Sequence, residues 1–170
     1  GVLWRARTVE GDLGMRWSAP GVVDAAIAER LLSDGERAQL AAAAAARAAD
    51  PGFVATDAGQ RAVDRRLAAL AATVAVRRHA RGEARGDAPI RDLRDVRLMV
   101  GSGGVLRHAP PLDSTGVLAA VLADYAGGWP LPREARPVVD VEYVLAAAGL
   151  LAEPHPAAAA GLARRLAPAH

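Results

Sequence analysis

The sequence predicts a mostly helical α/β fold, and three observations lead to this prediction. The 170 residues match the length of one domain of ordinary size. Apolar residues make up 52% of the chain and aromatic residues only 4%. This balance favours closely packed helices over a β-sandwich, because alanine is the strongest helix former whereas strands prefer aromatic and β-branched side chains. Residues 96–100 alternate in the manner of one short strand.

The first half of the chain carries three helical patterns. Pro20 opens the first pattern, and Ser33 begins the second through a capping box. The third and longest helix should begin near Thr56 or Asp57 and continue to about Arg81, with apolar residues at the helical period. The arginines of these helices fall mostly between the apolar positions, so we interpret them as solvated helix surface.

A glycine-rich turn, here named the glycine loop, follows the strand in the second half of the chain. It consists of Gly101, Ser102, Gly103 and Gly104. After it the sequence predicts a helix capped by Asp113 or Ser114, a weak strand at residues 138–139, a small-residue helix over residues 141–151 and a short helix ending at Leu166.

The number of predicted strands is too small for a complete sheet. Besides residues 96–100 and 138–139, only residues 2–5 are a weak candidate, whereas a stable sheet needs roughly three or more strands with a covered face. We therefore expect helix in more than half of the residues and strand below about 15%, against a typical ~20–25%. If polypeptide outside residues 1–170 completes the sheet, these residues should expose an apolar patch, which would favour homodimers.

Charge and composition exclude several classes of function. The 21 basic residues are all arginine and are interleaved with 19 acidic residues, so nothing indicates a nucleic-acid partner. The chain has no cysteine, which excludes disulfides and thiolate chemistry. The uncharged apolar runs are shorter than the ~18 residues of a membrane span, and no secretory signal is visible. We therefore expect a cytoplasmic protein without a membrane partner.

The glycine loop is the most informative candidate for a binding site. Glycines let a backbone approach a ligand closely, and successive N–H groups at such a turn can face a phosphate or a purine edge. The loop is neither G-x-G-x-x-G nor a Walker A motif, because Leu106 stands where a third glycine is needed and the chain has no lysine. The alternative is a tight strand exit crowded by a neighbouring helix. The scattered histidines and Ser102 match no metal or catalytic motif, so no catalytic residue or metal ligand is predicted.

Four longer segments carry a resemblance to a known family. They are T-V-E-G-D-L-G-M-R at residues 8–16, V-R-R-H-A-R-G at 76–82, V-G-S-G-G-V-L at 100–106 and V-D-V-E-Y-V-L-A-A-A-G-L-L at 139–151. These strings resemble the MutL family associated with adenosylcobalamin-dependent glutamate mutase, which is unrelated to the mismatch-repair protein of that name. More broadly, the order of strand, glycine loop, helix and small-residue helix resembles the C-terminal nucleotide-binding half of the actin, hexokinase and heat-shock-chaperone ATPase superfamily.

The resemblance implies a fold and a division of the chain. The fold would be the C-terminal subdomain of an actin-like, ribonuclease H-like ATPase with an inserted helical subdomain. Residues 1–20 would be an entry segment of strand and loop, residues 21–92 the helical subdomain, and residues 93–170 the nucleotide-binding subdomain. The superfamily's D-x-G-x-T phosphate segments are absent from residues 1–170. We therefore expect a C-terminal fragment of a longer protein, inactive as an ATPase by itself.

The resemblance also implies ligands, partners and site residues. The full-length protein would bind ATP or ADP with Mg²⁺ and would maintain or reactivate an adenosylcobalamin-dependent mutase. The glycine loop would line the adenosine side of a cleft, and three N-terminal residues would contact the nucleotide or the rest of the protein. These three are Glu10, Asp12 and Arg16. The alternative for them is a local turn in which Asp12 caps backbone N–H groups and Arg16 pairs with Glu10.

Two other classes of function remain open from the sequence. One is a non-enzymatic interaction module whose alanine-rich helices, residues 21–81, bind the mutase or another subunit. The other is a fragment of a hydantoinase-like small-molecule enzyme, which shares the superfamily fold.

Overall fold

The computed structural model describes residues 7–82 and 91–166. More than half of these residues are helical, and the two strands have four residues each, which confirms the mostly helical α/β prediction. The weak strand candidate at residues 2–5 lies outside the described residues. The elements are α1 (Ala19–Ala28), α2 (Asp34–Ala49), α3 (Ala58–Arg81), β1 (Leu98–Gly101), α4 (Gly104–His108), α5 (Pro111–Leu122), β2 (Arg136–Val139), α6 (Val144–Leu151) and α7 (Pro156–Ala163).

The caps of the long helices agree with the sequence. The Ser33 amide and hydroxyl both donate to Glu36 Oε2, at 3.2 and 2.8 Å, and begin α2. Asp57 Oδ1 accepts a hydrogen bond of 2.8 Å from the Gln60 amide and begins α3. At the other end Gly82 has a φ of 74°, the left-handed conformation that glycine adopts without strain, and α3 ends there.

The two strands form a parallel pair joined by helices. β1 and β2 pair from Leu98 opposite Arg136 to Gly101 opposite Val139, and α4 and α5 lie in the connection between them. α4 is a helix that the sequence did not predict. α5 begins at Pro111 rather than at Asp113 or Ser114, because proline suits the first turn of a helix, where its missing N–H has no partner to lose.

Asp140 connects the end of the sheet to the start of α6. Its amide donates to the carbonyl of Gly101 at 2.8 Å, and its carboxylate accepts from the amides of Val144 and Leu145 at 2.9 and 3.0 Å. This buried carboxylate satisfies two N–H groups of the first turn of the helix. α6 therefore begins at Val144, three residues later than the sequence predicted.

α3 is the central helix, and it packs on two sides. On one side it contacts α1 and α2, and on the other it contacts α4 and α5. The larger core lies on the first side and contains Leu67, Leu70 and Val74 of α3. The smaller core joins Ala69 to Leu106, Val117 and Leu118 of α4 and α5.

Two arginines contradict the interpretation of the arginine-rich faces as solvated surface. Arg47 and Arg77 are 1% and 2% exposed. Arg77 Nε and Nη2 donate to the two carboxylate oxygens of Asp124, each at 2.6 Å, and its Nη1 donates to the carbonyl of Glu29 at 2.9 Å. Buried guanidinium groups are stable only with such partners, so this cluster ties α1 and α3 to the chain after α5. Within residues 7–82 and 91–166, no helix combines the length and the apolar character needed to cross a membrane.

Candidate functional site

A cavity of about 820 Å³, here named the α3 cleft, separates α3 from the glycine loop and α5. Its volume lies within the roughly 300–1,000 Å³ of small-molecule sites. Much of the wall that α3 contributes consists of small apolar side chains, those of Ala68, Ala72 and Ala75 along one face of the helix. Met99 and the glycine loop belong to the opposite wall. Because alanine fills little space, the helix face leaves room for a ligand.

The two ends of the α3 cleft differ in polarity. In the C-terminal part of α3, Val76 and His79 share a shallow groove with Leu98 at the start of β1. Nearer the other end of the helix, Arg65 Nη1 pairs with Asp113 Oδ2 of α5 at 3.2 Å. The strand therefore runs opposite to the helix. The glycine loop, at the end of the strand, consequently lies toward the N-terminal half of α3, from which Arg61 and Arg65 line the cleft.

Different physical reasons explain why glycine occupies each of the three positions in the loop. A Cβ on Gly101 would lie 2.7 Å from Leu106 Cδ1 and 2.9 Å from Leu118 Cδ2, so this residue fits the crowded strand exit. Gly103 has a φ of 135°, which side chains rarely adopt, and its surroundings are open. Gly104 also has no heavy atom within 4 Å of a built Cβ. Close packing therefore explains Gly101, while Gly103 and Gly104 border open space.

Contacts behind the glycine loop hold it in place. The guanidinium of Arg107 in α4 lies 4.4 Å from the centre of the Tyr143 ring, just before α6. Tyr143 has a φ of 54°, the left-handed conformation. Together with the bond from Asp140 to Gly101, this contact connects both sides of the loop to the start of α6.

Arg16 is the predicted N-terminal residue that reaches the α3 cleft, where it lies on the wall with Asp64. Its Nη2 is 3.4 Å from Asp64 Oδ2, and its Nη1 donates to the Met15 carbonyl at 2.8 Å. Asp64 Oδ1 also accepts from Arg47 Nε at 2.5 Å. The pairing of Arg16 with Glu10, one of the alternatives from the sequence, is therefore wrong.

Glu10 and Asp12 lie away from the described wall of the α3 cleft, against the last turns of α3. Arg78 Nη1 donates to Glu10 Oε2 at 2.7 Å, and Arg78 Nη1 and Nη2 donate to the two oxygens of Asp12 at 2.8 and 2.9 Å. These hydrogen bonds lower the pKa of the Asp12 carboxyl and raise that of the Arg78 guanidinium. The structure thus separates these two acids from Arg16 and the glycine loop.

The histidines have two different settings. His79 is half-buried with its Nδ1 3.2 Å from Thr8 Oγ1, and burial is the main cause that lowers its pKa, followed by the charge of Arg91. This opposes the cationic form expected near a helix C-terminus. His108, at the end of α4, lines the α3 cleft.

The described residues do not form a cluster of side chains that could hold a metal ion by themselves. Among residues 7–82 and 91–166, no group of three or more acidic or histidine side chains is placed to hold a metal ion. Asp64 is the carboxylate on the wall of the cleft, and two arginines already engage it. The charged side chains of the cleft therefore suit an anionic group better than a divalent cation.

The group around Asp64, here named the Asp64 cluster, was not predicted from the sequence. The cluster is Arg16, Arg47, Phe53 and Asp64. Asp64 lies three residues before the buried Leu67, on the same side of α3, and this spacing was the available signal. Arg47 Nη2 donates to the carbonyl and the side chain of Gln60, both at 3.1 Å, and both guanidinium groups face the Phe53 ring at 4.7 and 5.9 Å.

The comparisons with known proteins agree on one family. The sequence profile of the family described as "MutL protein" matches residues 3–166. The chain is also 32% identical over 162 residues to Protein MutL of Clostridium tetanomorphum, an alignment that covers 88% of this chain and 34% of the relative. The chain thus spans about a third of that relative's length. No solved structure matches it. The chain belongs to the MutL protein family, of the type associated with glutamate mutase.

Proposed function

We propose that the α3 cleft binds an adenine nucleotide. The single observation that carries this proposal is the shared wall of one cavity of about 820 Å³, in which the glycine loop and Arg16 face the small apolar residues of α3. The faces of a purine base are flat and apolar although its edges are polar, so they suit the apolar part of the wall that contains Ala68, Ala72 and Met99. Gly103 and Gly104 leave their backbone open to a ligand on the same side.

The wider role that we propose is maintenance or reactivation of an adenosylcobalamin-dependent mutase. Membership of the MutL family supports the association with glutamate mutase. In this proposal the βαβ unit belongs to an actin-like ATPase fold, and nucleotide binding serves the exchange of damaged cofactor. Because residues 1–170 lack the D-x-G-x-T phosphate segments of that superfamily, we expect no ATP hydrolysis by this chain itself.

A matched pair of variants tests the nucleotide proposal by calorimetric titration with ADP. Gly104 and Gly116 both lie in helices with open space around a built Cβ, but only Gly104 is on the wall of the α3 cleft. Gly104→Leu should reduce ADP affinity at least about tenfold, which corresponds to ~1.4 kcal/mol. Gly116→Leu should leave the affinity unchanged. Equal affinities for the two variants, or no ADP binding by the wild type, would contradict the proposal.

An interaction module is the second candidate function, and the surface of α6 favours it. Leu145 and Leu150 of this helix are exposed, the latter by 81%. Because α6 has no charged residue, its exposed surface is apolar. Capture of a purified adenosylcobalamin-dependent glutamate mutase on the immobilised chain separates the two candidates. If binding of the partner is the main function, Leu150→Glu should abolish capture and Gly104→Leu should not. If the nucleotide controls capture, ADP should change the amount retained by the wild type and not by Gly104→Leu.

A further inference from the structure

The Asp64 cluster carries one positive charge in excess. It contains two guanidinium groups, those of Arg16 and Arg47, and one carboxylate, that of Asp64. The Arg47 side chain is 1% exposed, the Asp64 side chain 9% and the Arg16 side chain 26%. The charges of Arg47 and Asp64 need partners, because the protein interior solvates them poorly, whereas Arg16 is partly open to solvent.

Arg47 and Arg16 share Asp64 unequally. Arg47 donates from Nε to Asp64, from Nη1 to the carbonyl of Ala43 at 3.0 Å and from Nη2 to Gln60. Besides its contact with the Phe53 ring at 5.9 Å, Arg16 has the longer contact of 3.4 Å to Asp64 and one hydrogen bond to a backbone carbonyl. A guanidinium has five N–H donors, so Arg16 retains capacity for an additional acceptor.

The remaining charges around the α3 cleft do not offset this excess. Arg61 and Arg65 also line the wall. Arg65 pairs with Asp113, and Arg61 Nη1 donates to the carbonyl of Thr56 at 2.8 Å, which adds no negative charge. The end of the cleft that lies toward the glycine loop is therefore positively charged, while the rest of its wall is largely apolar.

We infer that Arg16 binds the phosphate group of the ligand in the α3 cleft, and that Asp64 and Arg47 position it. This inference rests on the proposed nucleotide-binding function and adds the phosphate contact to it. Arg47 fixes the Asp64 carboxylate, and Asp64 holds one edge of the Arg16 guanidinium at the wall. The other N–H groups of Arg16 then meet an anion, which gives the charge-assisted hydrogen bonds that arginine forms with phosphate.

The test compares adenosine, which has no phosphate, with ADP in calorimetric titrations of the 170-residue chain at low and high salt. The wild type should bind ADP at least about tenfold more tightly than adenosine, as expected for a charge-assisted contact. The preference should weaken as salt is raised. Arg16→Gln should remove the preference and leave adenosine affinity unchanged, and Arg16→Lys should retain part of it.

Arg66→Gln is the matched control, because Arg66, like Arg16, donates to one acid and one backbone carbonyl, here those of Glu36 and Leu31, but is not on the wall of the cleft. It should keep the wild-type preference. A wild type that binds adenosine and ADP equally, or an Arg16→Gln variant that keeps the preference, would overturn the phosphate contact and leave nucleotide binding standing. If neither compound binds the wild type, the proposed function itself fails, and the phosphate contact fails with it. The ratio of the two affinities is the decisive readout, because a merely structural role of Arg16 would lower both equally.

Discussion

The two sides of α3 are built in opposite ways. Toward α1 and α2 the helix packs Leu67, Leu70 and Val74 into the larger core. Toward β1 and α5 it presents alanines across a cavity of about 820 Å³, and only a small cluster of side chains closes the contact. The difference shows that one helix can anchor the fold with one face and border an open cavity with the other.

The largest effect should come from breaking the ion pair that joins both sides of α3. Asp124→Ala leaves the buried guanidinium of Arg77 without its two-oxygen partner, although Glu29 remains. Losing one partner of a buried pair typically costs about 3–5 kcal/mol of unfolding free energy. Urea denaturation followed by circular dichroism measures this loss. A loss below about 1 kcal/mol would show that the cluster does not stabilise the contact between the two sides.

A pair of leucine variants tests the comparison of the packed and open regions directly. Leu70→Ala removes a side chain that is 2% exposed in the larger core and should cost about 2–5 kcal/mol. Leu150→Ala removes one that is 81% exposed on α6 and should change the stability by less than about 0.5 kcal/mol. The same urea experiment gives both values. Similar losses for the two variants would mean that the α6 surface is covered, for example in a homodimer, which sedimentation velocity would detect.

A smaller effect is expected at the start of α6. Asp140→Ala removes a buried carboxylate that accepts from two backbone amides, and the loss should be about 1–2 kcal/mol. Glu142→Ala is the matched control, because this acid pairs only with Arg165 among the described residues and both side chains are 56% exposed. The control should change the stability by less than about 0.5 kcal/mol. Equal changes for the two variants would contradict the capping role of Asp140.

The smallest effect should be a pH dependence from His79. Its pKa in the folded state lies below the ordinary value of 6.5, so the unfolded chain takes up the proton first as the pH falls. Stability should therefore be constant above about pH 7.5 and decrease as the pH falls through about 6.5. His79→Gln should flatten this decrease between pH 8 and 5.5 in urea titrations. An unchanged slope would assign the dependence to other groups.

The local elements could be predicted from the sequence much better than the site. Asp57 and Gly82 delimit α3 through backbone chemistry, which depends on neighbouring residues alone. The pairing of Arg47 with Asp64 depends on how α2 packs against α3, and nothing in either segment alone reports it. For the same reason the sequence does not show that Glu10 and Asp12, which precede Arg16 by six and four residues, pair with Arg78 of α3. Ion pairs between different helices depend on the tertiary structure.

Hydrogen exchange with and without ADP tests the central claim that the open side of α3 is the binding side. Amides of residues 99–106, together with those of residues 61–76 in α3, should exchange more slowly when ADP is bound. Amides of α2, which lies on the packed side, should keep their exchange rates. Protection confined to α2 or α7, or no change anywhere at saturating ADP, would contradict the claim.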